Sequence, residues 1–267
     1  MLRDPFFKSL RDQARNVLTW GIGVVVYVAL LMSVYPSIKK SAGQLQGYVD
    51  NLPAALRAAF LGPSGDFTSP TGYINTELLS WLAPIVFIAF AIGVAGRALA
   101  GEEEDGTLSL LLAYPLSRRR LALQKFAALA ALVAAIGVVF WASLAIATTI
   151  VGTPVGVLAL FEAVLLFTLL ALAIGSLTLA VGAATGRRSV GAAAGAGVAV
   201  AMYLLNTLAL VNDAVRPYRV LSLFYYSGGT TPLGKGLSGV HVAVLLGTTA
   251  VLVVATVVLF GRRDVRV

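Results

Sequence analysis

Six long apolar stretches dominate this chain and restrict its fold more than any other feature. They run near 17–35, 78–100, 122–150, 155–184, 189–211 and 241–260. A helix needs about 20 mostly apolar residues to cross a bilayer. Only 12% of the 267 residues are charged and 58% are hydrophobic, against roughly 25% charged in a soluble domain. One globular core cannot hide that much apolar surface, so the chain reads as a polytopic membrane protein. The spans must be helices, because an open strand edge in lipid leaves backbone groups unsatisfied. The alternation expected of a membrane barrel is absent. The fold class is therefore all-α: one membrane domain over 1–267, with no internal repeat and no soluble domain. The first apolar run ends in LLMSVYPS, without a small-x-small cleavage site, and reads as a retained span.

Six spans leave both termini on one side, and basic residues select which. Arg3, Lys8, Arg11, Arg15, Arg97, Arg118, Arg119, Arg120, Lys125, Arg187, Arg188, Arg262, Arg263 and Arg266 fall on the side of the termini. Lys39, Lys40, Arg57, Arg216, Arg219 and Lys235 fall on the other, a division of 14 against 6. Both termini are expected in the cytoplasm, and the protein in the cell (inner or plasma) membrane. The net charge of +8 then follows from topology and calls for no nucleic-acid partner. There are no cysteines, hence no disulfide framework or thiolate chemistry.

Three further elements are expected. Asp4 and Pro5 suit the N-cap and first position of a helix. Leu2, Phe6, Leu10, Ala14 and Leu18 recur every fourth residue. Residues 1–16 therefore read as an amphipathic helix on the inner surface, or as a basic anchor to the first span. The outer loop 36–76 carries a helical stripe of Leu45, Val49, Leu52, Leu56 and Phe60, divided at Pro53. The outer loop 212–240 holds Tyr218, Phe224, Tyr225 and Tyr226, which suit an interfacial aromatic belt.

Several motifs carry less than they suggest. GGTTPLGKG approaches a phosphate-binding loop, but Gly236 stands where Ser or Thr should meet magnesium, so it reads as a turn. His241 is the only histidine. With no partner base or nucleophile motif, it reads as a polar group at headgroup level. Metal ligation by the acidic cluster would need histidine partners on other helices, and the chain has only one histidine. Glu162 lies inside an apolar segment, where an ionised acid costs about 3 kcal/mol at the membrane centre. It is a candidate for a substrate path or gate, the alternative being an interfacial acid at the helix edge. Asn206 is a weaker candidate for the same role, set against ordinary interhelical hydrogen bonding. Gly191 and Gly195 form a small-xxx-small pair that favours close helix contact, with a partner inside the chain or in another protomer.

The densest charge lies in GEEEDGTLSLLLAYPLSRRRLALQK, residues 101–125. Four acids and three arginines, at about 3 kcal/mol each, oppose burial in lipid by about 20 kcal/mol, so the segment is a loop outside the bilayer. Thr107 is placed to cap a short helix through Leu112, and Tyr114-Pro115 to end it. Ser117 is placed to cap the third span, although Arg118, Arg119 and Arg120 in its first turn oppose the helix dipole. Physics leaves two readings: acids paired with bases on the same membrane face, or a docking surface for a soluble partner.

This segment resembles the signature loop of type-2 ATP-binding-cassette exporter permeases. There a glutamate-rich segment leads into Gly-Thr-Leu, a short run, Pro-Leu-Ser-Arg and a Lys opening the next span. Gly101, Glu102, Glu103, Gly106, Thr107, Leu108, Pro115, Leu116, Ser117, Arg118 and Lys125 fit that pattern. LSLFYY also resembles the Ser-Pro-Phe-x-Tyr-Tyr stretch found there, with Leu223 in place of the proline. The resemblance implies two permease copies, or one copy and a paralogue, above two cytoplasmic ATPase subunits that bind ATP and magnesium. It implies no cofactor and no catalysis in this chain. Loop 101–121 would be the coupling element, with Glu102, Glu103, Glu104, Gly106, Thr107, Leu111, Pro115 and Arg118 as its coupling residues. Spans two and five would border the path. The rivals are an ion-gradient-driven transporter, which needs ionisable groups deep in several spans, and a non-transporting anchor or sensor using the same ATPase.

Overall fold

The computed structural model describes the chain except for residues 1–3, 42–46, 48–50, 52–68, 81, 113–116, 154, 229–232, 234–235 and 264–267. Six long apolar helices cross the membrane: α1 (Pro5–Lys40), α2 (Pro70–Glu104), α3 (Arg118–Val151), α4 (Val157–Thr185), α5 (Arg188–Val211) and α6 (Gly239–Arg262). The described residues contain no strand. The stripe expected in loop 36–76 and the GGTTPLGKG turn, Gly228, Leu233 and Gly236 apart, lie outside the described residues.

Asp4 caps α1 by accepting from Phe6 N at 3.1 Å, with Pro5 at the first position. The helix then continues unbroken to Lys40. The expected amphipathic helix is thus no separate element, because no Gly or Pro between Phe6 and Trp20 interrupts the backbone. Val24, Val28, Met32 and Tyr35 are buried along it; the helix packs on α3, and Tyr35 meets Tyr73 of α2. Ser117 caps α3 as expected, accepting from Arg120 N at 3.2 Å. Gly152 and Gly186, both at φ 67°, close α3 and α4 in the left-handed conformation that glycine adopts without strain.

The second span starts earlier than its apolar run. Ser69 caps it at Gly72 N, and π-helical turns occupy Ile74–Leu79 and Arg97–Gly101. Asn75 and Thr76 obscured this start in the sequence, yet both are buried in protein. Asn75 Oδ1 accepts from Leu233 N at 3.0 Å, pinning loop 212–240 to α2.

Helix α4 is the hub, touching α2, α3, α5 and α6. Its small residues permit close approach. A Cβ at Gly175 would lie 3.2 Å from Ala91 Cβ, and one at Gly182 would lie 3.3 Å from Ala100 Cβ. The Gly191 and Gly195 pair faces α4 of the same chain, meeting Thr178 and Gly182. Rows of exposed aliphatic side chains, such as Ile22, Val26 and Leu30 on α1 and Val251 and Val254 on α6, face outward. Lipid is the solvent for such surfaces.

Candidate functional site

Loop 101–121 connects α2 to α3 at the end of the bundle where α1 and α5 begin and α6 ends. Residues Glu102–Glu104 finish α2 immediately after the π turn Arg97–Gly101. A Cβ at Gly101 would lie 3.3 Å from Gly96 O, so the turn favours glycine there. Gly106, at φ 69°, then reverses the chain into the short helix Thr107–Leu112. That helix appears where the leucine run placed it, with one correction. Thr107 is its first residue, and its hydroxyl donates back to Glu102 O at 3.2 Å instead of capping forward. Leu108 is buried and holds the helix to the bundle. Leu111 lies in the helix, but its side chain and all of Pro115 lie outside the described residues.

Successive helical residues are rotated by about 100°. The three acids therefore point in three directions, and each meets a base from a different part of the chain. Glu102 Oε1 lies 2.8 Å from Lys8 Nζ of α1 and 2.7 Å from Lys125 Nζ of α3. Lys125 is 2% exposed and also donates to Ser9 Oγ at 2.9 Å. Lys8 additionally pairs with Asp12 at 3.3 Å. Glu103 pairs with Arg263, which follows α6. Arg118 Nη1 donates to the carbonyl of Arg263, so the first arginine of α3 compensates its poor place at the helix dipole with a carbonyl acceptor. Glu104 receives Arg188 twice, from the backbone N at 2.9 Å and from Nε at 2.9 Å. Arg187 provides no side-chain cap for α5, and Glu104 satisfies that helix terminus from across the loop.

Of the two physical readings of the acids, pairing on the same face is the arrangement seen. A cleft of about 460 Å³ opens beside this network, with Lys8, Asp12, Arg97, Glu102, Lys125 and Arg188 among its lining. The sequence did not reveal which bases meet which acids. The available signal was three consecutive acids at a span end, which must diverge.

Gly186 shares this network. A Cβ there would strike the Arg263 guanidinium that holds Glu103, and its positive φ disfavours any other residue. Gly186→Ala is expected to cost about 1–2 kcal/mol from the left-handed conformation alone. A fall in the thermal midpoint of the purified protein checks it.

The other two candidate residues lie at the opposite end. Glu162 sits in the second turn of α4, half-buried, with Gly236 beside it. Asn206 is buried and its Oδ1 accepts from Arg219 Nε at 3.0 Å. Arg219 stacks over Tyr225 at 5.3 Å, and burial pushes its guanidinium down from its ordinary pKa. Tyr225 and Tyr226 both pack on His241, in keeping with an interfacial cluster. Glu77, in the π turn Ile74–Leu79, is a further half-buried acid that the apolar count passed over.

Among the described residues, no group of three His, Cys, Asp or Glu is placed to hold a metal ion. No curated protein matches the chain. A family model described as ABC-2 family transporter protein matches residues 6–265, almost the whole length. That family is one of non-catalytic membrane permeases and implies a separate ATPase partner. Six apolar spans, the Gly-Thr-Leu to Pro-Leu-Ser-Arg loop and this match agree: the chain is a multi-pass membrane permease of the ABC-2 transporter family.

Proposed function

We propose that the chain is the permease subunit of an ATP-driven exporter, coupled to separate cytoplasmic ATPase subunits through loop 101–121. The observation that carries this reading is the short helix Thr107–Leu112, mounted between α2 and α3 and anchored by Leu108. A helix held at that position offers a soluble partner a rigid contact. The 14-to-6 division of basic residues supports cytoplasmic termini and, with them, a loop on the ATPase side. Two permeases, as copies or as paralogues, would enclose the path. ATP and magnesium belong to the partner. ATP binding closes the ATPase pair and biases the permeases between inward- and outward-facing states. Glu162 and Asn206 remain candidates for the outer gate.

The ion-gradient reading finds little support, because Glu77 and Glu162 lie towards one end of their helices and not at midplane. The deciding experiment is affinity purification of the tagged full chain from its native membrane, followed by vesicle assays. A stoichiometric ATPase should co-purify, and Leu111→Asp should abolish its recovery while insertion persists. Recovery unchanged by Leu111→Asp removes the loop helix as the docking element. Transport that follows a proton gradient and ignores ATP would overturn the whole reading, and complete absence of ATP-dependent transport would favour the sensor.

A further inference from the structure

We infer that Glu102, Glu103 and Glu104 are internal fasteners, and that Lys8, Lys125, Arg188 and Arg263 are positioning residues that transmit movement of the loop to four helices. The inference rests on the permease reading for its purpose, but its geometry is independent of any partner. Three adjacent acids reach bases on α1, α3, α5 and the segment after α6. A displacement of the end of α2 therefore acts on each of those helices for as long as its ion pair holds. Docking then falls to the helix Thr107–Leu112, and not to the acids.

The fasteners differ in strength. Around Glu102, the side chains of Lys125 and Glu102 are 1% and 13% exposed. Burial makes such a pair costly to break once formed. The Glu104 and Arg188 side chains are 33% and 57% exposed, and solvent-screened pairs of this kind open easily. The first group fixes α1 and α3 to the loop, and the second is the releasable link to α5. Helix α5 is suited to move as a rigid body, since glycines carry its contact with α4. Its N-terminus has no side-chain cap of its own, so release by Glu104 also uncovers that terminus.

The absence of native cysteine makes a distance measurement direct. Spin labels at Ser109→Cys in the loop helix and Ser189→Cys at the exposed start of α5 report the link in the full chain in lipid nanodiscs. We expect a narrow distance distribution for the parent. Glu104→Arg and Arg188→Glu should each broaden it about twofold, as an opened surface pair allows. The double exchange should recover part of the parent width, because it restores the ion pair and leaves the backbone N–H of position 188 without its carboxylate acceptor; a general loss of packing would recover none. Widths unchanged in the single variants, or not rescued by the exchange, overturn the inference. The nanodisc measurement needs no ATPase, so its failure is separate from a failed co-purification, which counts against the permease reading alone.

Discussion

Glu102→Ala is expected to destabilise the protein by about 3–5 kcal/mol, the cost of stranding a buried charge by removing its partner. Lys125 is 2% exposed and without Glu102 would retain the Ser9 hydroxyl as its hydrogen-bond acceptor, with Asp12 acting only at longer range. A hydroxyl does not neutralise an ammonium group. Lys8 suffers less, because it keeps Asp12 at 3.3 Å and is partly open to solvent. The control is the apolar replacement Glu102→Leu with Lys125→Met, which removes both charges together. That double variant should recover most of the loss, since well-packed apolar groups commonly match a buried pair. Thermal unfolding of the purified protein in detergent reads both. An unchanged midpoint for Glu102→Ala would mean that Lys125 is not held as a buried cation.

Gly191→Leu is expected to separate α5 from α4 and to lower stability by about 3 kcal/mol or more, the upper range for overpacking. A Cβ at Gly191 would lie 2.8 Å from Thr178 O, 3.1 Å from Gly182 N and 3.3 Å from Gly182 Cα. All three are backbone atoms, so no rotamer change relieves the clash. At Gly195 the obstacle is the Thr178 hydroxyl, a side-chain group with some freedom to turn. At Gly197, on the same helix, nothing lies within 4 Å and the site is exposed. The expected order of damage by Leu is therefore Gly191, then Gly195, then Gly197, with Gly197→Leu close to the parent. Midpoints of thermal unfolding for the three variants test the order. Equal effects at Gly191 and Gly197 would exclude contact with α4 as the cause.

These two sites show what each level of description supplies. The six spans, the caps at Asp4 and Ser117 and the helix within the leucine run were legible along the chain. Each depends on local chemistry: apolar length, or a side-chain oxygen at a helix start. The start of α2 was misjudged because Asn75 and Thr76 look like loop residues. Asn75 finds its partner in the backbone of Leu233, distant in sequence. The division between an amphipathic helix and the first span was also overdrawn, since a change of polarity along a helix does not break its backbone.

The candidate site divides in the same way. That the acids and arginines of loop 101–121 stay outside the bilayer is an expectation of the sequence alone, because so many charges cannot enter lipid. The sequence alone also carried the resemblance to the transporter family that the match over 6–265 now supports. Whether the acids face a partner or their own chain was beyond any local argument. The structure joins Glu102 to Lys8 and Lys125, Glu103 to Arg263, and Glu104 to Arg188, residues up to 160 positions apart. It likewise assigns Gly191 to α4 of the same chain. The physical reason is common to both: charge and size at one position state what a residue needs, and only the packing of the helices decides which neighbour supplies it.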